Sequence, residues 1–198
     1  MSATLRNARS HLIAERRELL ALCHALGPAE WEAASLCAGW RVRDVVAHVI
    51  GGERDWADIL RTHGDVDAAN ARSVERRAGV PVQQLLAELD EIAAVQGLGR
   101  LFAPVLLVDN WIHQEDIRRP IGRPRAQNPD RLRWVLRWTR VLPSGRGRSL
   151  RLVATDLDYT AGEGPEVRGA AADIIMAVAG RASAARHLEG AGVECLLA

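Results

Sequence analysis

The chain has no lysine: all 26 of its basic residues are arginine. They face 25 acids, leaving a formal net charge of +1. Such a balance offers no basic field for nucleic acid and no acidic face for a basic partner. Cysteine is sparse. Cys23, Cys37 and Cys195 form no Cys-x-x-Cys pair and no zinc-knuckle spacing. Their odd number argues against a secreted disulfide framework. No run of about 18 apolar residues is present, so no membrane-spanning helix is expected. The N-terminal stretch is charged and periodic and lacks the apolar core of a signal peptide. These absences describe a cytoplasmic chain, monomer or homodimer, acting on a small molecule and binding neither nucleic acid nor membrane. There is no internal repeat and no low-complexity tract.

What is there is helical periodicity. Leu5, Leu12 and Leu19 recur at seven, with Ile13 and Leu20 one step round, which predicts an amphipathic helix over 3–26. Gly27-Pro28 stops it. A short helical turn at 28–35 and a loop lead to a second helix over 42–62. Residues 63–80 read as a polar loop with some helix. Pro81 suits a first helical turn, and Val82, Leu85, Leu86, Leu89 and Ile92 carry a third helix to Gln96. A fourth runs from Phe102 to Arg118 with Pro104 in its first turn. Asn128-Pro129 is an N-cap followed by proline at the first helical position, opening a helix to Leu142. The pattern then changes. PSGRGRS (143–149) breaks the chain, and 150–156 alternates with β-forming residues, so it reads as a strand. A second short strand is expected within 159–169, then two short helices. The sequence therefore describes a mainly α protein, with a helical bundle over 1–142 and a small α+β unit over 149–198.

Chemistry concentrates on two helices. In the fourth, Asp109-Asn-Trp-Ile-His113-Gln-Glu-Asp116 places three polar groups on one stripe. At about 100° per residue, His113 lies about 40° from Asp109, and Asp116 about 20° to its other side. A carboxylate and an imidazole one turn apart can share one metal ion. The same pattern also fits a hydrated polar face near a helix end. In the second helix, His48 sits among Val45, Val46, Ala47, Val49 and Ile50, with Asp44 one turn before it and Gly51-Gly52 just after. The glycines would open space beside His48 for an ion and a ligand, or would let helices pack closely around a satisfied core histidine. Trp40, Trp56 and Trp111 are candidates to wall such a cavity or to pack in the core. Cys37 reads as a packed thiol, since only Arg41 nearby would favour its thiolate.

These segments resemble the mycothiol-dependent maleylpyruvate isomerase family, an actinobacterial-type group. SLCAGWRVRDVVAHVIGGERDW is similar to the family's Cys-x-Gly-Trp turn with an Asp and a His on the next helix, through Cys37, Gly39, Trp40, Asp44 and His48. DNWIHQEDIRRPIG resembles its acid-x-x-x-His-x-x-Asp motif, through Asp109, His113, Asp116 and Gly122. GEGPEVRG and the later Gly-Arg resemble signatures of the small appended domain, through Gly162, Gly164, Pro165, Val167, Gly169, Gly180 and Arg181. The resemblance implies a DinB-like four-helix bundle followed by a small sterol-carrier-like α+β domain. It implies a divalent metal, zinc in type, held by His48, Asp109 and His113, and a low-molecular-weight thiol such as mycothiol as co-substrate. The family's characterised isomerases carry glutamate where this chain has Asp109, one methylene shorter, so Asp116 or a water is expected to help complete the shell.

On this reading the chain is a metal-dependent, thiol-using isomerase or S-transferase acting on a small electrophile. Asp116 would orient His113 or act as a reserve ligand. Arg181 would reach in from the small domain to hold a substrate carboxylate or the thiol. Trp40 and Trp111 would line the thiol's place. Two other readings stay open: a non-catalytic small-molecule or metal-binding protein on the same scaffold, and a metal-dependent hydrolase with Asp116 or Glu115 as base.

Overall fold

The computed structural model of the chain describes residues 3–97, 99–140 and 146–197, with the backbone alone for residues 3, 56, 59 and 60. The chain divides into two compact units, Met1–Pro124 and Arg125–Ala198.

The first unit is the bundle. Its four long helices are α1 (Ala3–Ala25), α3 (Val42–Arg54), α6 (Val82–Ala93) and α7 (Gly99–Arg118). α1 packs on α6 and α7, and α3 packs on the same two. The core follows the predicted stripes: Leu12 and Leu19 of α1, Val42, Val45, Val46, Val49 and Ile50 of α3, and Leu85 and Leu89 of α6 are all fully enclosed. Each such side chain stabilises the fold by roughly 1.5–3 kcal/mol relative to an exposed one. Between α1 and α3 lie the short α2 (Pro28–Trp31) and the loop carrying Cys37. That loop is tied to α7 by the Leu36 N–H, which donates to the Asp116 carbonyl at 3.0 Å.

Two expectations need correction here. The helix expected over 42–62 is two, α3 and α4 (Trp56–Arg61), broken at Asp55. Asp55 ends α3 by donating its N–H to the Gly51 carbonyl, and its own carbonyl then accepts from Asp58 N–H to begin the next turn. The polar stretch expected as mostly loop holds a three-turn helix, α5 (Val66–Arg77). Asp65 caps it, accepting from the Ala68 N–H at 3.0 Å. Its buried stripe, Ala69, Ser73 and Arg77, is helical in spacing but too small or polar to register as apolar periodicity. α7 also begins earlier than expected, at Gly99, so Pro104 lies within it rather than in its first turn.

The second unit gathers α8 (Pro129–Thr139), β1 (Arg151–Ala154), β2 (Thr160–Ala161), β3 (Glu166–Gly169), α9 (Ala171–Val178), α10 (Ala182–Ala185) and α11 (Glu194–Leu197). The sheet order is β2-β1-β3; β1 pairs antiparallel with β2 and parallel with β3, with Leu152 opposite Val167. Those two side chains and Ile174, Ile175 and Val178 of α9 are fully buried, and α9 packs on both β1 and β3. α8 is capped by Asn128, as its sequence suggested, and packs on α9. The helix assigned by sequence to the bundle thus belongs to the second unit, because its buried stripe of Leu132, Val135 and Leu136 meets the apolar α9. Its expected extension to Leu142 and the start of the linker lie outside the described residues. The architecture is the one the sequence described: a mainly α chain, four-helix bundle first, small α+β unit after.

Candidate metal centre

α3 and α7 lie side by side, and their polar positions meet. His48 occupies the face of α3 opposite none of the charged residues but within the apolar run, and it is buried with a side chain 7% exposed. α7 presents Asp109, His113 and Asp116 along one stripe, as the helical angles require. The three candidate ligands converge. His48 Nε2 lies 3.3 Å from Asp109 Oδ1, and His113 Nε2 lies 3.4 Å from the same oxygen. One ligand atom from each residue falls within 4.8 Å of the others.

The spacing tests whether a cation fits. Around a tetrahedral zinc ion with bonds of about 2.0–2.1 Å, neighbouring ligand atoms stand about 3.3–3.4 Å apart. The two nitrogen–oxygen separations match that edge. Two imidazoles and a carboxylate are also the donor types zinc prefers. The aspartate, short as it is, brings Oδ1 within reach of both imidazoles. Asp116 stands behind His113 instead: His113 Nδ1 donates to Asp116 Oδ2 at 2.9 Å, and the Asp116 side chain is fully buried. A carboxylate on the far ring nitrogen fixes the tautomer that leaves Nε2 free to ligate. His48 has no such support; its Nδ1 is buried and meets no hydrogen-bond partner among the described residues.

Electrostatics bind the cluster together. Burial disfavours the Asp109 carboxylate, yet His113 and His48 beside it outweigh that and hold its pKa well below the usual carboxylate range. Burial likewise disfavours the charged His113 ring, but Asp109 and Asp116 on its two edges raise its pKa well above the ordinary histidine value. The T-shaped contact of the His48 and His113 rings, with centroids 4.5 Å apart, keeps both nitrogens turned toward Asp109.

The other candidates separate. Trp40 stands against His48, ring centroids 5.4 Å apart. Trp111 is 1% exposed, enclosed among the bundle's packed side chains. The Trp56 side chain lies outside the described residues. Asp44 is not part of the cluster; its carboxylate accepts from the Arg41 backbone N–H at 2.9 Å and from the Arg41 guanidinium, a cap at the start of α3. In the second unit Arg181 donates to the Ala179 carbonyl at 2.7 Å and precedes α10.

Of the two glycines after His48, Gly51 does not open space for an ion. A Cβ on Gly51 would fall 1.8 Å from Ser73 Oγ, and one on Gly52 would meet Leu106 at 3.7 Å. Gly51 is small so that α5 can approach, which is the packing role that the sequence left open.

Two participants escaped the sequence reading. Cys37 Sγ donates to Asp116 Oδ2 at 3.1 Å and lies 3.6 Å from His113 Nδ1, so the thiol belongs to the cluster. Arg16 of α1 is fully buried. It donates to Asn110 Oδ1 at 3.0 Å, to the Ile92 carbonyl at 2.7 Å and to Glu53 at 3.2 Å. Burial lowers its pKa, against the pull of Glu53 and of Asp109, and its positive charge supports the Asp109 carboxylate from the bundle interior. Its signal was an arginine between Leu12 and Leu19 on the buried stripe of α1.

Residues 12–96 match the family model described as mycothiol maleylpyruvate isomerase N-terminal domain. Two solved structures share the fold: the mycothiol-dependent maleylpyruvate isomerase, at a TM-score of 0.67, and a histidine-to-alanine mutant of that isomerase, at 0.66. Each is 16% identical to the chain, and each alignment covers 96% of this chain and 96% of the other. No curated protein matches the chain in sequence. Among the described residues no helix is long and apolar enough to cross a membrane. Residues 12–96 thus match that N-terminal domain model, on a chain that shares the isomerase's fold over nearly its whole length.

Proposed function

We propose that the chain is a metal-dependent enzyme that uses a low-molecular-weight thiol, mycothiol or a close relative, either to isomerise a small electrophile or to join the thiol to it through sulfur. The observation that carries this reading is the approach of both histidine Nε2 atoms to one oxygen of Asp109 at 3.3 and 3.4 Å. His48, Asp109 and His113 hold a divalent ion, zinc by donor type. An ion held by these three residues would lower the pKa of a thiol brought to it, supplying a thiolate nucleophile near neutral pH.

The chain's own groups set the geometry. Asp116 keeps the Nδ1 proton of His113 and so holds that ring's Nε2 toward the site. Trp40 stands beside His48, its ring tilted 45° to the imidazole, and gives the thiol's apolar parts a wall. Arg181 carries a planar guanidinium fork of the kind that matches a carboxylate. When the thiolate adds to an activated alkene, the former double bond can rotate. Departure of the thiol then gives the isomer, and its retention gives the conjugate. Free thiols persist in a reducing cytoplasm, where we place the reaction. A hydrolase is less well supported, because both acids offered as its base are engaged: Asp116 with His113 and Cys37, and Glu115 with Arg119 at 3.2 Å.

The test is elemental analysis of gently purified protein, then turnover with mycothiol plus maleylpyruvate and with mycothiol plus an alkylating bimane. About one divalent ion per chain is expected, with thiol-dependent turnover that stops on chelation. A His48→Ala protein that keeps its full metal content would overturn the site, and a metal-loaded protein inert with thiol toward both electrophiles would overturn the reaction class.

A further inference from the structure

The far edge of the His113 ring carries a second set of ligand atoms. Cys37 Sγ, His113 Nδ1 and Asp116 Oδ2 lie within 4.8 Å of one another, on the side of the imidazole opposite Asp109. The sulfur–nitrogen separation is 3.6 Å. Tetrahedral bonds of about 2.3 Å to sulfur and 2.0–2.1 Å to nitrogen span about 3.6 Å. The two contacts to Asp116 are shorter, 3.1 Å from sulfur and 2.9 Å from nitrogen, as expected where protons occupy the place of an ion. Asp116 is fully buried, His113 nearly so, and Cys37 half-buried. The cysteine is fixed in place by neighbouring backbone: the Cys37 N–H donates to Ser35 Oγ at 3.1 Å, and the adjacent Leu36 N–H donates to the Asp116 carbonyl.

We infer that Cys37, Asp116 and His113 Nδ1 form a second cation site, for a thiophilic d10 ion such as cadmium or cuprous copper, back to back with the first across the His113 ring. One thiolate, one carboxylate and one neutral imidazole give two negative charges, which neutralise a divalent ion. Binding releases the thiol proton and the Nδ1 proton of a ring protonated on both nitrogens, and the imidazole stays neutral by keeping its Nε2 proton. The sulfur decides the choice of ion, because thiolate selects soft cations whereas the His48 side offers only nitrogen and oxygen. Occupation of the second site also replaces the Asp116 carboxylate at Nδ1 by a cation. Nε2 then holds the ring proton and cannot ligate, so a soft ion here takes one ligand from the first site without touching His48 or Asp109. This inference does not rest on the proposed reaction.

The test is titration of the metal-free protein with cadmium, read by the ultraviolet thiolate-to-cadmium charge-transfer band. The band should appear in the parent and in His48→Ala, which lacks the first site. In Cys37→Ser the band should vanish. Asp116→Asn should weaken cadmium binding by roughly 10–100-fold or more, the range seen when even an outer partner is lost. A parent protein without the band, or a Cys37→Ser protein that keeps it through Cys23 or Cys195, overturns the site. Loss of the band in His48→Ala as well makes Cys37 a ligand of the first site and overturns the second. Should Cys37→Ser fail to fold, cadmium-113 NMR of the parent and of His48→Ala decides instead: the expected result is a resonance shifted by one sulfur donor in both, and its absence overturns the site.

Discussion

Two regions of the bundle bury charge, and they do so to opposite ends. Beneath the end of α3, Arg77 of α5 donates to Asp55 at 2.6 Å, to Glu88 at 2.9 Å and to Ser73 Oγ at 3.0 Å. Arg76 adds a second cation on Asp55 at 2.8 Å. About two turns earlier on α3 and across to α7, His48, Asp109, His113 and Asp116 crowd together. Guanidinium offers only donors and cannot ligate a cation, so the first region is closed: each carboxylate faces an arginine. In the second the cationic partners are imidazoles, which lose a proton and turn into ligands. Buried charge alone therefore does not mark a site; a convergent set of atoms able to change from donor to ligand does.

The comparison breaks cleanly if the two clusters are cut separately, and this is the largest effect we expect. Removing one partner of a buried ion pair typically costs about 3–5 kcal/mol, because the remaining charge is left uncompensated. Arg77→Met should fall near the low end, roughly 3 kcal/mol, since Arg76 still faces Asp55. Its metal content should stay at the parent's level. His48→Ala should do the reverse, losing the metal with a smaller shift in the urea midpoint, because its Nδ1 satisfies no partner. Urea denaturation beside elemental analysis reads both. An Arg77→Met protein that loses its metal, or equal destabilisation in both variants, would show the clusters to be one structural unit.

Acid sharpens the same contrast more gently. Burial opposes the charge of Asp55, but the Arg77 and Ser73 hydrogen bonds and the nearby Arg76 lower its pKa below 3.8. A carboxyl whose folded pKa is depressed contributes stability above its unfolded value, and that contribution is lost as pH falls through the folded value. Between about pH 5 and pH 3 the melting temperature should therefore fall, in part through Asp55. Asp55→Asn should start lower at pH 6 and show a shallower fall, the two curves approaching each other in acid. Parallel curves over that range would remove Asp55 from the account.

The legible parts of this chain were those written in large apolar residues or in motifs. The stripes of α1, α3 and α6 and the strand-helix pair of β1 and α9 follow from leucine, isoleucine and valine spacing. Asp109, His113 and Asp116 follow from helical angles alone, and their convergence with His48 was implied by resemblance. What stayed hidden depended on partners distant in sequence. α5 buries alanine, serine and arginine, whose burial makes sense only once Asp55 and Glu88 are known to face them. Cys37 looked inert because its neighbours in sequence are apolar, whereas its neighbours in space are His113 and Asp116. The placement of α8 turned on which apolar surface its stripe meets, α9 rather than the bundle, and a stripe does not name its partner.

The smallest effect separates two adjacent glycines that the sequence treats as one feature. Both lie in the interior of α3, where glycine costs about 1 kcal/mol relative to alanine. Neither carries a positive φ, so a Cβ brings no backbone strain, and only the neighbours decide. At Gly51 the added carbon would overlap Ser73, 1.8 Å from its Oγ and 2.7 Å from its Cβ. α5 would have to retreat, loosening the Ser73 hydrogen bond to Asp55 at 2.7 Å. Overpacking of this kind costs about 1–3 kcal/mol, so Gly51→Ala should lower stability despite the better helix propensity. Ser73→Gly in the same chain should recover part of the loss by clearing both atoms. At Gly52 the added carbon meets only Leu106 at 3.7 Å, an ordinary contact. Gly52→Ala should raise stability by up to about 1 kcal/mol, with metal content unchanged, because the added carbon makes only that one contact. Thermal melts of the two single variants read the sign directly. A Gly52→Ala protein that melts higher but loses its metal would return the glycine to the site.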